Sequence, residues 1–160
     1  LRALFDRYFR YLCATAFHFL RDPEKAKDMA QDVFFELWKR RADLDITTSL
    51  KSYLRRAAVN RSLNFLKSQR LDFTEPDVGQ SAVASSEPSA QHLLEAEHFE
   101  KAFDRALEKL PPACRTVFIL SRIEELSHRE IAERLEISTK TIENQMTKAL
   151  RMLREGLATR

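Results

Sequence analysis

The sequence predicts an all-α chain of two small helical domains joined by a flexible acidic linker, the second domain a helix-turn-helix. Three observations predict it. The 160 residues include only two glycines and five prolines, and no strongly alternating apolar run marks a strand. Apolar residues instead recur at helical steps in segment after segment. Charge falls into blocks. Residues 46–71 hold six bases (Lys51, Arg55, Arg56, Arg61, Lys67, Arg70) and no acid. Residues 72–100 hold seven acids and no lysine or arginine, and residues 139–160 hold five bases against two acids. Such alternation suggests two basic surfaces with an acidic connector between them. Any one block alone also fits a solvated helix face, and the net charge of +3 is too small to argue for nucleic acid by itself.

The first helix spans residues 1–20, with Leu1, Leu4, Phe5, Tyr8, Leu12, Ala16 and Phe19 at helical spacing. Asp22-Pro23-Glu24 then supplies an N-cap, a proline for the first helical position and an acid for the positive end of the dipole. The second helix carries an unbroken stripe of Ala26, Met29, Ala30, Val33, Phe34, Leu37 and Trp38. That stripe assigns Trp38 to the core first. Asp28, Gln31, Asp32, Phe35 and Glu36 fill the other face, where Phe35 is out of place. Residues 43–49 read as a short loop. The third helix, residues 50–67, is less clean: Leu50, Tyr53, Leu54, Ala57 and Ala58 lie on one side, and Val59, Leu63 and Leu66 lie nearly opposite. It is either buried on two sides or bent near Val59.

Residues 71–90 have linker composition, with Pro76, Gly79, Pro88 and several serines. The expected division is therefore a domain over residues 1–70, a linker over 71–90 and a domain over 91–160. A helix from about residue 89 to Leu110 repeats the apolar stripe through Phe99, Ala102, Phe103, Ala106 and Leu107, and Pro111-Pro112 ends it. A short helix over residues 113–125 follows. Ser127 and Glu130 make a capping box before Ile131. That helix ends near Leu135, residues 136–138 turn, and a last helix runs from Thr139 until it fades near Gly156.

Residues 126–151 carry the strongest constellation, a capped helix, a three-residue turn and a basic helix. Ala132 allows close approach, while Ile131, Leu135, Ile137 and Ile142 set the crossing angle. The outward face of the second helix presents Thr139, Lys140, Glu143, Asn144, Thr147, Lys148 and Arg151, types that read grooves and hold phosphates. Asn144 has the chemistry to read adenine, worth about 1–3 kcal/mol when bidentate. Lys140, Lys148 and Arg151 suit phosphates and add salt dependence. Glu136 dissents, because the backbone of this turn is left-handed and a residue other than glycine there costs about 1–2 kcal/mol.

Other chemistry is sparse. Cys13 and Cys114 are far apart with no metal spacing and read as buried structural thiols of a reducing compartment. The four histidines are scattered. No cofactor, metal or catalytic residue is expected. There is no phosphate-binding glycine loop and no H-E-x-x-H, and Asp28 with Asp32 read as solvated acids before they read as a metal pair. No apolar run is long enough for a membrane span, and residues 11–20 lack a signal peptide's leader and cleavage pattern, so no membrane insertion is expected. The chain starts at Leu1 without methionine, and residues are expected to precede it.

The stretch L-S-H-R-E-I-A-E-R-L-E-I-S-T-K-T-I-E-N-Q-M-T-K-A-L-R-M-L-R (126–154) resembles the last domain of the extracytoplasmic-function (ECF) sigma factors of the sigma-70 family. D-P-E-K-A-K-D-M-A-Q-D-V-F-F-E-L-W (22–38) resembles that family's polymerase-clamp helix, and S-L-K-S-Y-L-R-R-A-A-V-N-R-S-L-N-F-L-K (49–67) its promoter-melting helix. The resemblance covers nearly the whole chain, in the right order. It implies an alternative sigma factor that binds core RNA polymerase and directs promoter-specific initiation in bacteria. Such a factor would not be an enzyme, and its place would be the cytoplasm. Asp28, Gln31, Asp32 and Phe35 would meet the clamp helices of the beta-prime subunit, and the second domain the beta flap. The minus-ten element would lie against residues 43–48 and the helix after them. There Lys51, Tyr53, Arg55, Arg56, Asn60 and Arg61 are the expected DNA contacts, with Lys67 as a further phosphate contact. The loop would receive an unstacked base, whose extrusion costs a few kcal/mol. Tyr53 is the one aromatic candidate for wedging the duplex and fits a core position equally well. With fewer aromatics here than primary sigma factors, the chain would melt fewer promoters. The minus-35 element would meet the outward face of the last helix. The acidic linker would lie in the polymerase's RNA path or act as a plain tether. An anti-sigma factor is an expected partner. The competing reading is an autonomous regulator of the LuxR type, whose DNA-binding domain is close to R-E-I-A-E-R-L-x-I-S-x-K-T-x-x-N (129–144). Such regulators need a strand–helix receiver or ligand domain ahead of that segment, and residues 1–70 read as helices only.

Overall fold

The computed structural model describes residues 1–73 and 93–158. Their regular structure is all helical: α1 Arg2–Leu20, α2 Pro23–Lys39, α3 Leu50–Ser68, α4 Leu93–Lys109, α5 Pro112–Arg122, α6 His128–Leu135 and α7 Thr139–Ala158. The chain divides into two compact units, Leu1–Leu71 and Asp72–Arg160. Most of the linker expected at residues 71–90, and the first turn of the helix expected from residue 89, lie outside the described residues. Phe73, which composition places in that linker, is buried within the second unit.

In the first unit α1, α2 and α3 pack against one another pairwise. The core joins Leu12 of α1 with Ala30, Val33, Phe34 and Leu37 of α2 and Leu54 and Ala58 of α3. Each fully buried Leu or Phe contributes about 1.5–3 kcal/mol of burial. Phe5 stacks on Phe9 at 4.4 Å and meets Phe34 at 5.1 Å. Local chemistry sets the helix ends. Arg21 takes a left-handed turn (φ 52°) that closes α1. Asp22 Oδ1 then accepts from the Glu24 and Lys25 N–H groups at 3.1 and 3.2 Å, with Pro23 at the first helical position. Ser49 Oγ accepts from the Ser52 N–H at 3.1 Å and caps α3.

α3 is a single helix over Leu50–Ser68, and its buried residues are Leu54, Ala58, Val59, Ser62, Leu63 and Leu66. Of the two readings of its apolar pattern, burial on two sides therefore holds. The reason is tertiary: α1 and α2 both lie against it.

In the second unit α4, α5 and α6 each pack on α7. Ile131 and Leu135 of α6 and Ile142, Met146, Ala149 and Leu153 of α7 are buried, as their spacing predicts. The capping box is complete: Ser127 Oγ accepts from the Glu130 N–H at 3.1 Å, and Glu130 Oε2 accepts from the Ser127 N–H at 2.9 Å. Such a cap stabilises a helix by about 1 kcal/mol. α5 stops at Arg122, short of the expected 125, because the chain reverses at Glu125 (φ 57°) and the Leu126 N–H donates to the Leu120 carbonyl at 3.0 Å. Gly156 lies inside α7 where a Cβ would stand 3.2 Å from that of Ala106, so its lack of a side chain lets α4 approach closely.

Candidate nucleic-acid interface

The helix-turn-helix is formed by α6 and α7. Glu136 holds the turn in the left-handed conformation (φ 57°, ψ 43°) expected of a position that favours glycine. Its N–H and that of Ile137 both donate to the Ala132 carbonyl. Ser138 Oγ accepts from the Thr141 N–H at 3.1 Å and starts α7. On α7, Thr139, Lys140, Glu143, Asn144 and Thr147 are exposed, and Lys148 and Arg151 are half-buried. All seven expected groove residues therefore lie on or beside one outward face, opposite the buried Ile142, Met146 and Ala149. The Thr147 hydroxyl donates to the Glu143 carbonyl at 2.9 Å, which leaves its oxygen to accept.

The core side of α7 holds a polar residue that sequence reasoning missed. Gln145 is 3% exposed. Its Oε1 accepts from the Cys114 thiol at 2.8 Å, and its Nε2 donates to the Phe73 carbonyl at 2.5 Å. These two bonds satisfy the buried amide and tie residue 73 to α7. Burial pushes the Cys114 thiol up to about 11, against a smaller opposing pull from the Arg151 charge. Cys13 is half-buried rather than buried. Arg115 is also buried, and its Nη1 donates to the Leu110 carbonyl at 3.1 Å, just beyond the C-terminus of α4.

In the first unit, Asp28, Gln31, Asp32 and Phe35 are exposed along one face of α2. Phe35 is 60% exposed, with the Lys39 ammonium 5.6 Å from its ring centre. The cations of α3 do not share one face. Lys51 and Arg55 turn toward α1, where both approach the ring of Tyr11. Arg61 turns toward α2 and pairs with Asp32 at 3.8 Å and Glu36 at 3.9 Å. Arg56 is exposed and Asn60 half-buried on a third side. The single basic surface suggested by the charge block is thus split by the helices packed on either side of α3. Tyr53 is half-buried against the core cluster, as is Leu44 from the loop before α3. Trp38 corrects the stripe assignment: it is 46% exposed. It lies in the last turn of α2, where the Arg41 guanidinium stacks 3.9 Å from its ring centre and Nη1 donates to its carbonyl at 2.7 Å. Phe99, on the stripe of α4, is likewise 55% exposed, next to Phe103 at 6.0 Å.

Comparison with known proteins places two families in this order. Sigma-70 region 2 matches residues 4–71 and sigma-70 region 4 matches residues 100–153, together more than half of the chain. The ECF RNA polymerase sigma factor SigW of Bacillus subtilis is 24% identical over 160 residues, covering 95% of this chain and 86% of that protein. The RNA polymerase sigma-E factor of Streptomyces avermitilis is 27% identical over 161 residues, covering 98% and 86%. The chain belongs to the ECF subfamily of the sigma-70 factors. The fold of this sigma factor is also that of the sigma factor RpoE of Bartonella quintana, solved in complex with the anti-sigma factor NepR, with a TM-score of 0.55 at 20% identity over 99% of this chain and 98% of that one. As an ECF sigma factor, the chain binds RNA polymerase and promoter DNA to direct transcription initiation, and the family is not one of enzymes. The LuxR-type reading is not favoured, because the three helices ahead of α4 are themselves a sigma-70 region. No described helix is long and apolar enough to cross a membrane.

Proposed function

We propose that this sigma factor divides its work between its two units. A domain over residues 1–70 engages the polymerase and the minus-ten element, and a domain over residues 91–160 engages the minus-35 element. Asp28, Gln31, Asp32 and Phe35 meet the clamp helices of the beta-prime subunit, an assignment supported by an exposed phenylalanine among exposed polar groups on one helix face. The second domain meets the beta flap. Lys51, Tyr53, Arg55, Arg56, Asn60 and Arg61 serve the minus-ten element, with residues 43–48 receiving an unstacked base. Thr139, Lys140, Glu143, Asn144, Thr147, Lys148 and Arg151 serve the minus-35 element in the major groove. The protein works in the cytoplasm, where polymerase and DNA are, and an anti-sigma factor restrains it. It carries out no catalytic step of its own.

The observation that carries this reading is the outward polar face of α7, in a chain that also bears region 2. The test is reconstituted transcription with and without the chain on a panel of genomic promoters. Core enzyme plus the chain starts at two-element promoters that core alone ignores, and no initiation anywhere on the panel overturns the reading. Asn60→Ala lowers promoter opening while core binding stays intact. Equal loss of both contradicts the role given to Asn60.

A further inference from the structure

Phe73 belongs by composition to the acidic stretch between the two units, yet it is 8% exposed and buried within the second. Gln145, on the inner side of α7, holds it there. The amide is fixed at both ends: Oε1 accepts from the Cys114 thiol at 2.8 Å, and Nε2 donates to the Phe73 carbonyl at 2.5 Å. Cys114 is fully buried in α5, and burial keeps its thiol protonated and therefore a donor. With Oε1 so engaged, the amide nitrogen is aimed at residue 73. A buried amide is costly unless it is bonded. A leucine would pack beside Ile142, Met146 and Ala149 without that need. The second unit thus carries a seat for one residue of the segment ahead of it, with a buried place for the ring and a donor for the carbonyl.

The seat changes how far the chain between the units can reach. The end of α3 is closed by the Arg70 N–H, which donates to the Lys67 carbonyl at 3.0 Å. Only Leu71 and Asp72 stand between Arg70 and Phe73. Fully extended, the chain from Arg70 to Phe73 reaches about 11 Å, at about 3.6 Å per residue. From Arg70 to Leu93, where α4 starts, it reaches about 80 Å. Elements at minus ten and minus 35 lie about 25 base pairs apart, about 85 Å of duplex at about 3.4 Å per pair. A unit of this size adds a radius of about 15 Å. With both radii included, the short reach falls well below the distance between the elements and the long reach covers it.

We infer that Phe73 is a latch, seated on Gln145 in the free chain, which the chain must release to occupy both promoter elements at once. The inference rests on the proposed division of labour between the two units. The seated form is the shorter-reaching one, so the latch holds back assembly on a two-element promoter. The fraction of chain with Phe73 released sets the apparent affinity.

The test uses the full chain, core polymerase and a two-element promoter fragment recovered from genomic DNA by the wild-type holoenzyme. Phe73→Ser removes the ring, and Gln145→Leu removes the donor while keeping the inner face of α7 apolar. Both are expected to reach half-maximal initiation at about one-tenth of the wild-type chain concentration, with the same plateau. A purely structural role for Phe73 gives the opposite, a need for more chain. In the free chain, chymotrypsin cuts after Phe73 slowly in the wild type and several-fold faster in Gln145→Leu. If Gln145→Leu melts without cooperativity, Gln145→Met takes its place. Variants that need as much chain as the wild type, or more, overturn the inference and leave the division of labour standing. So does a shift seen with Phe73→Ser alone, or a cut after Phe73 that is equally fast with and without the amide. If the wild type itself starts at no promoter, the division of labour falls first, and the latch with it.

Discussion

At Cys114 burial has a consequence in pH. The thiol has an ordinary value of 9.0 and is pushed up to about 11 in the folded chain. The unfolded chain therefore releases this proton first as pH rises. Stability that the buried thiol supplies is complete below pH 9 and is lost as pH climbs toward 11. Denaturant unfolding of wild type and Cys114→Ala between pH 8 and pH 10.5 checks the sign: the difference between them shifts against the wild type as pH rises. A flat difference contradicts it. A thiol reagent at neutral pH labels Cys13 before Cys114, because only Cys13 is partly accessible. Residue chemistry was partly legible in advance. The caps at Asp22 and Ser127 and the left-handed Glu136 follow from local sequence, since each involves atoms within a few positions of one another. The Gln145 bridge does not, because its partners are 31 and 72 positions away.

At the scale of the element, α7 reads as two helices in one. Its inner face holds the second unit together, and its outer face is free of that duty, so substitutions there separate binding from folding. Asn144→Ala is expected to cost about 1–3 kcal/mol at the preferred minus-35 sequence and little at others. Lys140→Ala weakens all sequences alike and lowers the salt slope by about 0.9. Holoenzyme binding to a set of single-base minus-35 variants at several salt concentrations distinguishes the two. A uniform loss from Asn144→Ala contradicts its reading role. α3 is the less legible helix. Its periodicity shows which residues share a direction around the axis and is silent on the neighbours they meet. For Arg61 they include Asp32 and Glu36, and for Lys51 and Arg55 they include Tyr11. Ion pairs as exposed as those of Arg61 contribute at most about 1 kcal/mol, so DNA phosphates can compete for that guanidinium.

For the whole molecule, the proposed division of labour has the two units act on one promoter through one chain. On that proposal, binding of one unit makes the contact of the other intramolecular. Cleaving the chain between residues 74 and 92, with both pieces kept at nanomolar concentration, is expected to reduce promoter-directed initiation about 100-fold or more. Initiation undiminished by the cut would show that the polymerase alone holds both pieces in place.

Sequence by itself determined the helical class, the order of the helices, the caps at Asp22 and Ser127, the helix-turn-helix and the place of Phe35 off the apolar stripe. All of these depend on steps of three or four residues along the chain. Tertiary structure decided which apolar residues find a partner. Trp38 and Phe99 continue unbroken stripes yet remain exposed, because a stripe gives a direction and burial needs another helix in that direction. It also decided which neighbours the cations of α3 meet, since Tyr11 and Arg55 come together from 44 positions apart. No periodicity within either helix contains that contact.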